Sequence, residues 1–273
     1  MTRSILITGC SSGIGHDAAH ALKARGWRVF ASCRRDEDCA RLRSEGLVSP
    51  RIDYEDGDSI AAGLAEVLDA TGGRLDALYN NGAYAIPGLL EDLPVEALRA
   101  IFEANLFGWH DLTRRVLPVM RAAGAGRIVQ CSSVLGFAAA PWRGAYNATK
   151  FALEGLTDTL RLELAGTGIE VSLIEPGPIT SRFRVNGRHQ FERWIDWRAS
   201  PHRAQYERLL ARFENTTPDR WEMPPAAVTA KLIHAVEAPR PRARYYVTVP
   251  THLGGAAKRL LPTRMMDRIL SKS

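Results

Sequence analysis

Cysteine is scarce in this chain of 273 residues: Cys10, Cys33, Cys39 and Cys131 are its only four. Their spacing matches neither a small disulfide framework nor a zinc motif, which excludes those classes and suits a reducing compartment. No run of about 18 apolar residues occurs, so no membrane-spanning helix is expected. The N-terminus opens on the strand-like Ser4-Ile5-Leu6-Ile7 and lacks the charged segment, apolar segment and cleavage site of a secretory leader. These absences predict a cytoplasmic protein. Repeats, low-complexity stretches and linkers are also missing. The chain therefore reads as one domain over 1–273, with an insertion at about 183–222 and a helical tail at about 252–273. Acid is nearly absent from the end: Arg240, Arg242, Arg244, Lys258, Arg259, Arg264, Arg268 and Lys272 face only Asp267, within a net charge of +6. No nucleic-acid motif accompanies this basic stretch, so it reads as a solvated surface and no nucleic-acid partner is expected.

Short apolar runs alternate with helical patterns. Strands are predicted at 3–7, 28–33, 47–53, 75–80, 126–133, 168–176 and 244–249. Helices are predicted at 14–25, 36–45, 57–70, 95–122, up to 165 from the region of Tyr146, and at 225–237. This alternation with short connections predicts an α/β fold: a Rossmann-type doubly wound sheet of about seven parallel strands with helices on both faces. Between 183 and 222 the alternation gives way to aromatics, among them Phe183, Phe191, Trp194, Trp197, Tyr206, Phe213 and Trp221. In the tail, Leu260, Leu261, Met265, Met266, Ile269 and Leu270 alternate with basic residues. The primary reading is packing on the body, and the alternative is a peripheral helix on a membrane surface.

Thr8-Gly9-Cys10-Ser11-Ser12-Gly13-Ile14-Gly15 joins the first strand to the first helix. Backbone amides there can approach a pyrophosphate closely, and a helix N-terminus favours its charge. The spacing differs from the usual G-x-G-x-x-G. The same residues spell a nucleophile elbow, Gly9-x-Ser11-x-Gly13, with His189, His202, His234 and His252 downstream. That serine-hydrolase reading would leave Gly15 and the later hydroxyl residues without a role. His16 and His20 stand at i,i+4, the spacing of a metal pair, but no third ligand is evident. They read as an ordinary helix face, and no metal is expected.

A dinucleotide fold selects its ribose at the end of the second strand, where an acid binds the 2′-hydroxyl and an Arg accepts a 2′-phosphate. Here Cys33 stands at the acid position and Arg34 follows. Arg pairs with phosphate bidentately, so NADP(H) is preferred. Ser12 could add a hydroxyl. NAD(H) is the alternative, with Asp36 on the ribose.

Tyr146 and Lys150 lie four apart on one helix face. A phenol of pKa about 10 beside a fixed ammonium is pulled towards the working range, which suits proton transfer to a carbonyl oxygen. A hydroxyl of the Ser132-Ser133 pair could share that oxygen from the other side.

TGCSSGIG, Asn80-Asn81-Gly82-Ala83, Asn105, Ser133, Tyr146 with Lys150, and Pro176-Gly177 resemble the short-chain dehydrogenase/reductase superfamily over about residues 3–180. The closest likeness is to the 17β-hydroxysteroid and retinol dehydrogenases and their bacterial aldehyde-reductase relatives. The resemblance implies hydride transfer between a nicotinamide and a carbonyl or alcohol carbon. Tyr146 would be the acid or base, Lys150 would grip the ribose and lower the Tyr pKa, Ser133 would place the oxygen, and Asn105 would hold a relay water. Gly9, Ser11, Ser12, Gly13, Ile14 and Gly15 would carry the pyrophosphate and adenosine, and Asp53 the adenine edge. Asn81 and Gly82 would lie along the cofactor, with Pro176, Gly177, Ile179 and Thr180 beside the nicotinamide. Where the family reads Asn-Asn-Ala-Gly, Ala83 adds a methyl, which predicts a small local adjustment. Leu135, Trp142, Phe183 and Trp194 are the expected lining for a small apolar aldehyde, ketone, retinoid or steroid-like substrate. A homodimer or homotetramer is expected. A non-catalytic dinucleotide sensor or scaffold is the alternative from another class; such proteins usually lose the Tyr or the Lys.

Overall fold

The computed structural model describes residues 2–214, 217 and 219–271. Lys272 of the basic tail and residues 215, 216 and 218 of the aromatic insertion lie outside them. The elements in order are β1 (Ser4–Ile7), α1 (Gly13–Ala24), β2 (Arg28–Ala31), α2 (Asp36–Ser44), α3 (Gly57–Thr71), β3 (Ala77–Asn80), α4 (Val95–Phe102), α5 (Gly108–Ala123), β4 (Gly126–Cys131), α6 (Gly144–Glu163), β5 (Ile169–Glu175), α7 (Phe183–Trp194), α8 (Arg203–Glu214), α9 (Ala226–Glu237), β6 (Arg244–Tyr246), α10 (Val249–Leu260) and α11 (Thr263–Leu270).

All strand pairs are parallel, in the order β2-β1-β3-β4-β5-β6. Strand alternation builds both faces. Ile5, Ile7, Val29 and Ala31 point into a core with Leu22 of α1 and Leu232 of α9. Leu6, Phe30 and Leu78 point the other way, onto Leu64 of α3 and Leu112 and Val116 of α5. The chain leaves β1 for β2 on one side and returns to place β3 on the other. That reversal opens a crevice at the carboxyl ends of β1 and β3, the position where open α/β sheets hold ligands.

Three expectations change. The predicted strand at 47–53 makes only isolated bridges, Phe30 with Val48 and Cys33 with Arg51. Pro50 stands between them and has no N–H to continue a ladder, so the sheet has six strands. The predicted helix at 95–122 is interrupted by a π turn at Glu103–Phe107. Finally, β6 stops at Tyr246 because Thr248 caps α10, so the tail's helices begin at Val249.

The insertion forms α7 and α8, whose Phe191 and Tyr206 are fully buried. The Tyr206 hydroxyl donates to Asp92 Oδ2 at 2.7 Å and accepts from the Leu89 amide at 3.0 Å, tying α8 to the body. In the tail, α11 buries Met266 while Met265 and Ile269 stay exposed, so fewer side chains pack on the body than the sequence suggests.

Along α6, Tyr146, Lys150, Glu154 and Asp158 form an i,i+4 column. Arg244 of β6 reaches the lower part. It donates to Glu154, to Glu175 Oε1 at 2.6 Å and to Asp158 Oδ2 at 2.6 Å. Glu154 and Glu175 are buried, and burial pushes the Glu175 carboxyl well above the usual range, with Glu154 adding to the effect.

Candidate active site

The glycine loop is shaped by close backbone crossings. Gly9 has φ +66°, and a Cβ there would lie 2.4 Å from Gly82 Cα. A Cβ on Gly15 would lie 2.5 Å from the Gly9 carbonyl oxygen. The crossing therefore requires Gly9 and Gly15, while a Cβ on Gly82 would meet Gly9 Cα at a tight 3.2 Å; the Gly82-Ala83 order fits this, and Ala83 packs against the core. Ser12 caps α1 in an extended conformation with no side-chain hydrogen bond, and the first turn of α1 holds no acid. Its amides and the Ser12 hydroxyl thus face an anion without an internal competitor, a cradle that fits a dinucleotide pyrophosphate. The Ser11 carbonyl accepts from Arg41 at 2.6 Å. Ile14 packs against the core beside it.

Thr8 is a residue the sequence did not single out. Its Oγ1 accepts from the Asn81 amide at 2.9 Å, and Tyr54 Oη lies 2.6 Å from it. The Asn81 side chain donates to the carbonyls of Thr8 at 3.0 Å and Gly9 at 3.3 Å. Asn81 thus pins the glycine loop to the end of β3. Arg34 is exposed at the end of β2, and its charge, with that of Arg193 from α7, acts on Glu55 and Tyr84. Cys33 is buried in the core, and Asp36 opens α2 with Arg51 4.0 Å away. Asp53 is half-buried just past the Cys33–Arg51 bridge.

Ser133 ends the run out of β4 and caps a short 3-10 turn at Val134–Gly136. Its Oγ accepts from the Leu135 amide at 3.1 Å, and the serine is near enough to the Tyr146 phenol to act on its pKa. The Leu135 amide thereby holds the serine hydroxyl on the side of the phenol. Lys150 is almost wholly buried; its Nζ donates to the Cys131 carbonyl at 2.7 Å and sits 4.2 Å from the Trp109 ring centroid. The Trp109 indole in turn donates to the Gly82 carbonyl at 2.8 Å. Trp109, missed in the sequence, thus links the Lys to the loop by a cation–π contact.

Asn105 lies in the π turn and is fully buried. Its Oδ1 accepts from the Tyr84 amide at 3.1 Å, and its Nδ2 donates to the Tyr84 carbonyl at 2.8 Å and to Thr149 Oγ1 at 3.4 Å. Both amide protons are used, leaving one Oδ1 lone pair for a water.

The expected lowering of the Tyr146 pKa is reversed. Burial pushes the phenol up, and Ser133 offsets only part of that. Lys150 is itself desolvated and lowered to about 8, so it is a weaker fixed charge than an exposed ammonium. Tyr146 is thereby kept as a neutral phenol.

Phe183 meets the Tyr146 ring edge-on at 5.3 Å. Leu135, Trp142 and Trp194 border the apolar cluster that contains Tyr146 and Phe191. Trp142 is the one non-glycine residue with positive φ, +66°, among the described residues. Such strain costs about 1–3 kcal/mol and is held here from two sides. The Trp142 carbonyl accepts from Gly88 at 3.0 Å, and its ring meets Tyr206 at 5.2 Å. Beyond β5, the Pro176 carbonyl accepts from the Val134 amide at 2.8 Å. Gly177 passes so close to Thr248 that a Cβ would lie 2.2 Å from its Oγ1. Ile179 bridges to Met223, and the Thr180 amide donates to the Met223 carbonyl at 3.0 Å. A Cβ on Gly13 would lie 3.0 Å from Ser181 Cβ, so the segment Pro176–Ser181 joins the catalytic turn to the glycine loop.

Three of the four histidines a Ser11 hydrolase would call on are engaged elsewhere. His202 pairs with Glu91, His234 with Tyr245, and His252 with the Tyr246 ring. His16 and His20 both face Glu45.

The family profile described as short chain dehydrogenase matches residues 3–191. The chain is 41% identical over 270 residues to the uncharacterized oxidoreductase YbbO of Escherichia coli K12, covering 99% of this chain and 94% of that protein. It is 32% identical to the NADPH-dependent 3-dehydrocapnine reductase of Ornithobacterium rhinotracheale, over 99% and 96% of the two chains. It is also 32% identical to human 17-beta-hydroxysteroid dehydrogenase type 1, over 89% and 77%. The crystal structure of a Burkholderia phymatum short chain dehydrogenase/reductase in complex with NAD superposes with a TM-score of 0.81 at 25% identity, covering 98% and 95%.

Proposed function

Because this chain belongs to the short-chain dehydrogenase/reductase family and is an oxidoreductase of that fold, we propose that it reduces an apolar aldehyde or ketone, of aliphatic, retinoid or steroid-like type, with NADPH. The observation that carries this reading is the hydroxyl pair of Ser133 and Tyr146, set beside buried Lys150 and beneath the Phe183 ring. A bound nicotinamide supplies the hydride. Ser133 Oγ, already accepting from the Leu135 amide, keeps its proton for the substrate oxygen. Tyr146, kept neutral by burial, gives its proton to the same oxygen as negative charge develops there. Lys150 would hold the ribose hydroxyls of the bound dinucleotide, and the Phe183, Leu135, Trp142 and Trp194 side excludes water from an apolar substrate.

NADPH rather than NADH is supported by Arg34 at the end of β2, by the buried Cys33 where an acid would bind ribose, and by the NADPH dependence of the Ornithobacterium relative. Assays with aliphatic, aromatic and steroid carbonyls and both cofactors test the reading. Arg34→Ala is expected to raise KM for NADPH at least about tenfold and leave KM for NADH within about twofold, from loss of one Arg–phosphate pair. Equal effects on both would overturn the phosphate assignment.

The pH dependence follows from Lys150. With its pKa lowered to about 8, the charged form dominates below that pH and disappears above it. Tyr146 stays protonated through the same range. In the reductive direction kcat/KM is therefore expected to be level below about pH 8 and to fall about tenfold per pH unit beyond it. A profile level to pH 10 contradicts the assignment.

We place the protein in the cytoplasm, where its four buried free cysteines stay reduced. We place the contact of a homodimer or homotetramer on the α5 and α6 side, where Phe107, Phe151 and Leu156 are exposed.

A further inference from the structure

We propose that His16, His20 and Glu45 form a binding site for a transition-metal dication of the zinc type, on the outer side of the glycine loop and separate from the catalytic residues. The two histidines share one face of α1, with ring centroids 4.6 Å apart. The third group is invisible in the sequence because it comes from the end of α2, where Glu45 is the C-cap. Its Oε2 lies 2.6 Å from His16 Nε2 and 2.9 Å from His20 Nε2. All three donor atoms fall within 4.8 Å of one another.

The carboxylate is placed before any ion arrives. Its other oxygen, Oε1, accepts from Arg41 at 2.6 Å, and Lys23 holds the next carbonyl, that of Gly46, at 2.6 Å. Arg41 therefore occupies the oxygen a metal would not use, and it orients the one a metal would. Metal–nitrogen and metal–oxygen bonds of about 2.0–2.2 Å put tetrahedral ligand atoms roughly 3.3–3.5 Å apart. The present N···O separations of 2.6 and 2.9 Å need to open by about 0.4–0.9 Å to reach that spacing, within the play of side chains whose exposure is 35%, 40% and 27%. That exposure also leaves room for water at the remaining position. Two imidazoles and one carboxylate select zinc, nickel, cobalt or copper over magnesium or calcium.

The site would clip the first turns of α1 to the end of α2. Arg41 extends the clip, since its second donor reaches the Ser11 carbonyl at 2.6 Å.

The test is metal uptake by the purified full-length chain after EDTA treatment and desalting. Zn²⁺ is titrated against a chromogenic chelator, and Co²⁺ binding is followed by its visible absorption. Wild type is expected to take up one tight equivalent with Kd on the order of 1–10 μM. His20→Gln and Glu45→Gln are each expected to weaken uptake at least about tenfold, whereas His189→Gln, at an exposed histidine of α7, leaves it unchanged. Circular dichroism confirms that each variant is folded, and Mg²⁺ at millimolar excess should not compete. Wild type that binds no Zn²⁺ below 1 mM overturns the proposal. So does uptake that survives in both His20→Gln and Glu45→Gln, which would mark adventitious surface binding. None of these readouts depends on catalytic activity, so the result stands apart from the proposed reaction.

Discussion

Tyr146→Phe is expected to lower kcat/KM for carbonyl reduction by about 10³–10⁴-fold, towards the upper end of what a positioned acid contributes, while dinucleotide binding and Tm stay near wild type. The hydroxyl is the one atom removed. The ring keeps its edge-on contact with Phe183, and Ser133 Oγ keeps the Leu135 amide as a partner. Structural damage is therefore small, and the loss reads proton transfer alone. Steady-state kinetics on the carbonyl panel, fluorescence titration of NADPH and a thermal melt separate the three quantities. A variant within tenfold of wild type would mean that Tyr146 is not the acid.

The second large effect is on folding. Gly9→Ala is expected to cost about 3 kcal/mol or more, through two separate penalties. An L side chain in the left-handed region costs about 1–2 kcal/mol. The new Cβ would also press on main-chain atoms that cannot rotate away, Gly82 Cα at 2.4 Å and Gly82 N at 2.8 Å. For a chain of this size about 1 kcal/mol moves Tm by roughly 2–4 °C, so a fall of about 6–12 °C is expected, with loss of dinucleotide affinity. Gly124→Ala supplies the control. Gly124 has φ +66° as well, but nothing lies within 4 Å of its added Cβ. Its Tm should fall by about 2–8 °C from the left-handed penalty alone, less than in Gly9→Ala. Equal losses in the two variants would remove the crossing of Gly9 and Gly82 as the reason for glycine there.

The alternation of strands and helices, the glycine loop and the set Ser133, Tyr146 and Lys150 were legible in the sequence because each is local or lies at a fixed spacing. What was missed depends on the third dimension. Glu103–Phe107 reads as ordinary helix, since one widened turn leaves no mark in apolar periodicity. The 47–53 run has strand composition, but Pro50 limits it to bridges. Tyr146 looked like a phenol with a lowered pKa because its neighbour Lys150 is visible four residues away. The burial that reverses the shift is set by residues far off in the chain. Trp109, Thr8 and the anchoring role of Asn81 depend on contacts made only when β1, β3 and α5 meet. Glu45 reaches His16 across a helix and a strand.

The guanidinium of Arg244 gives the chain a direction in time. The ribosome makes Glu154 and Glu175 first, and the cation that joins them follows nearly seventy residues after Glu175. At about 5–20 residues per second that is an interval of several seconds. Throughout it the edge of β5 has no β6 to pair with, and two acids meant for the interior lack the guanidinium that joins them. They must stay wet or carry extra protons until β6 docks. Every residue proposed for the chemistry, up to Thr180, thus leaves the ribosome before the residue that settles the charge of the helix carrying Tyr146 and Lys150.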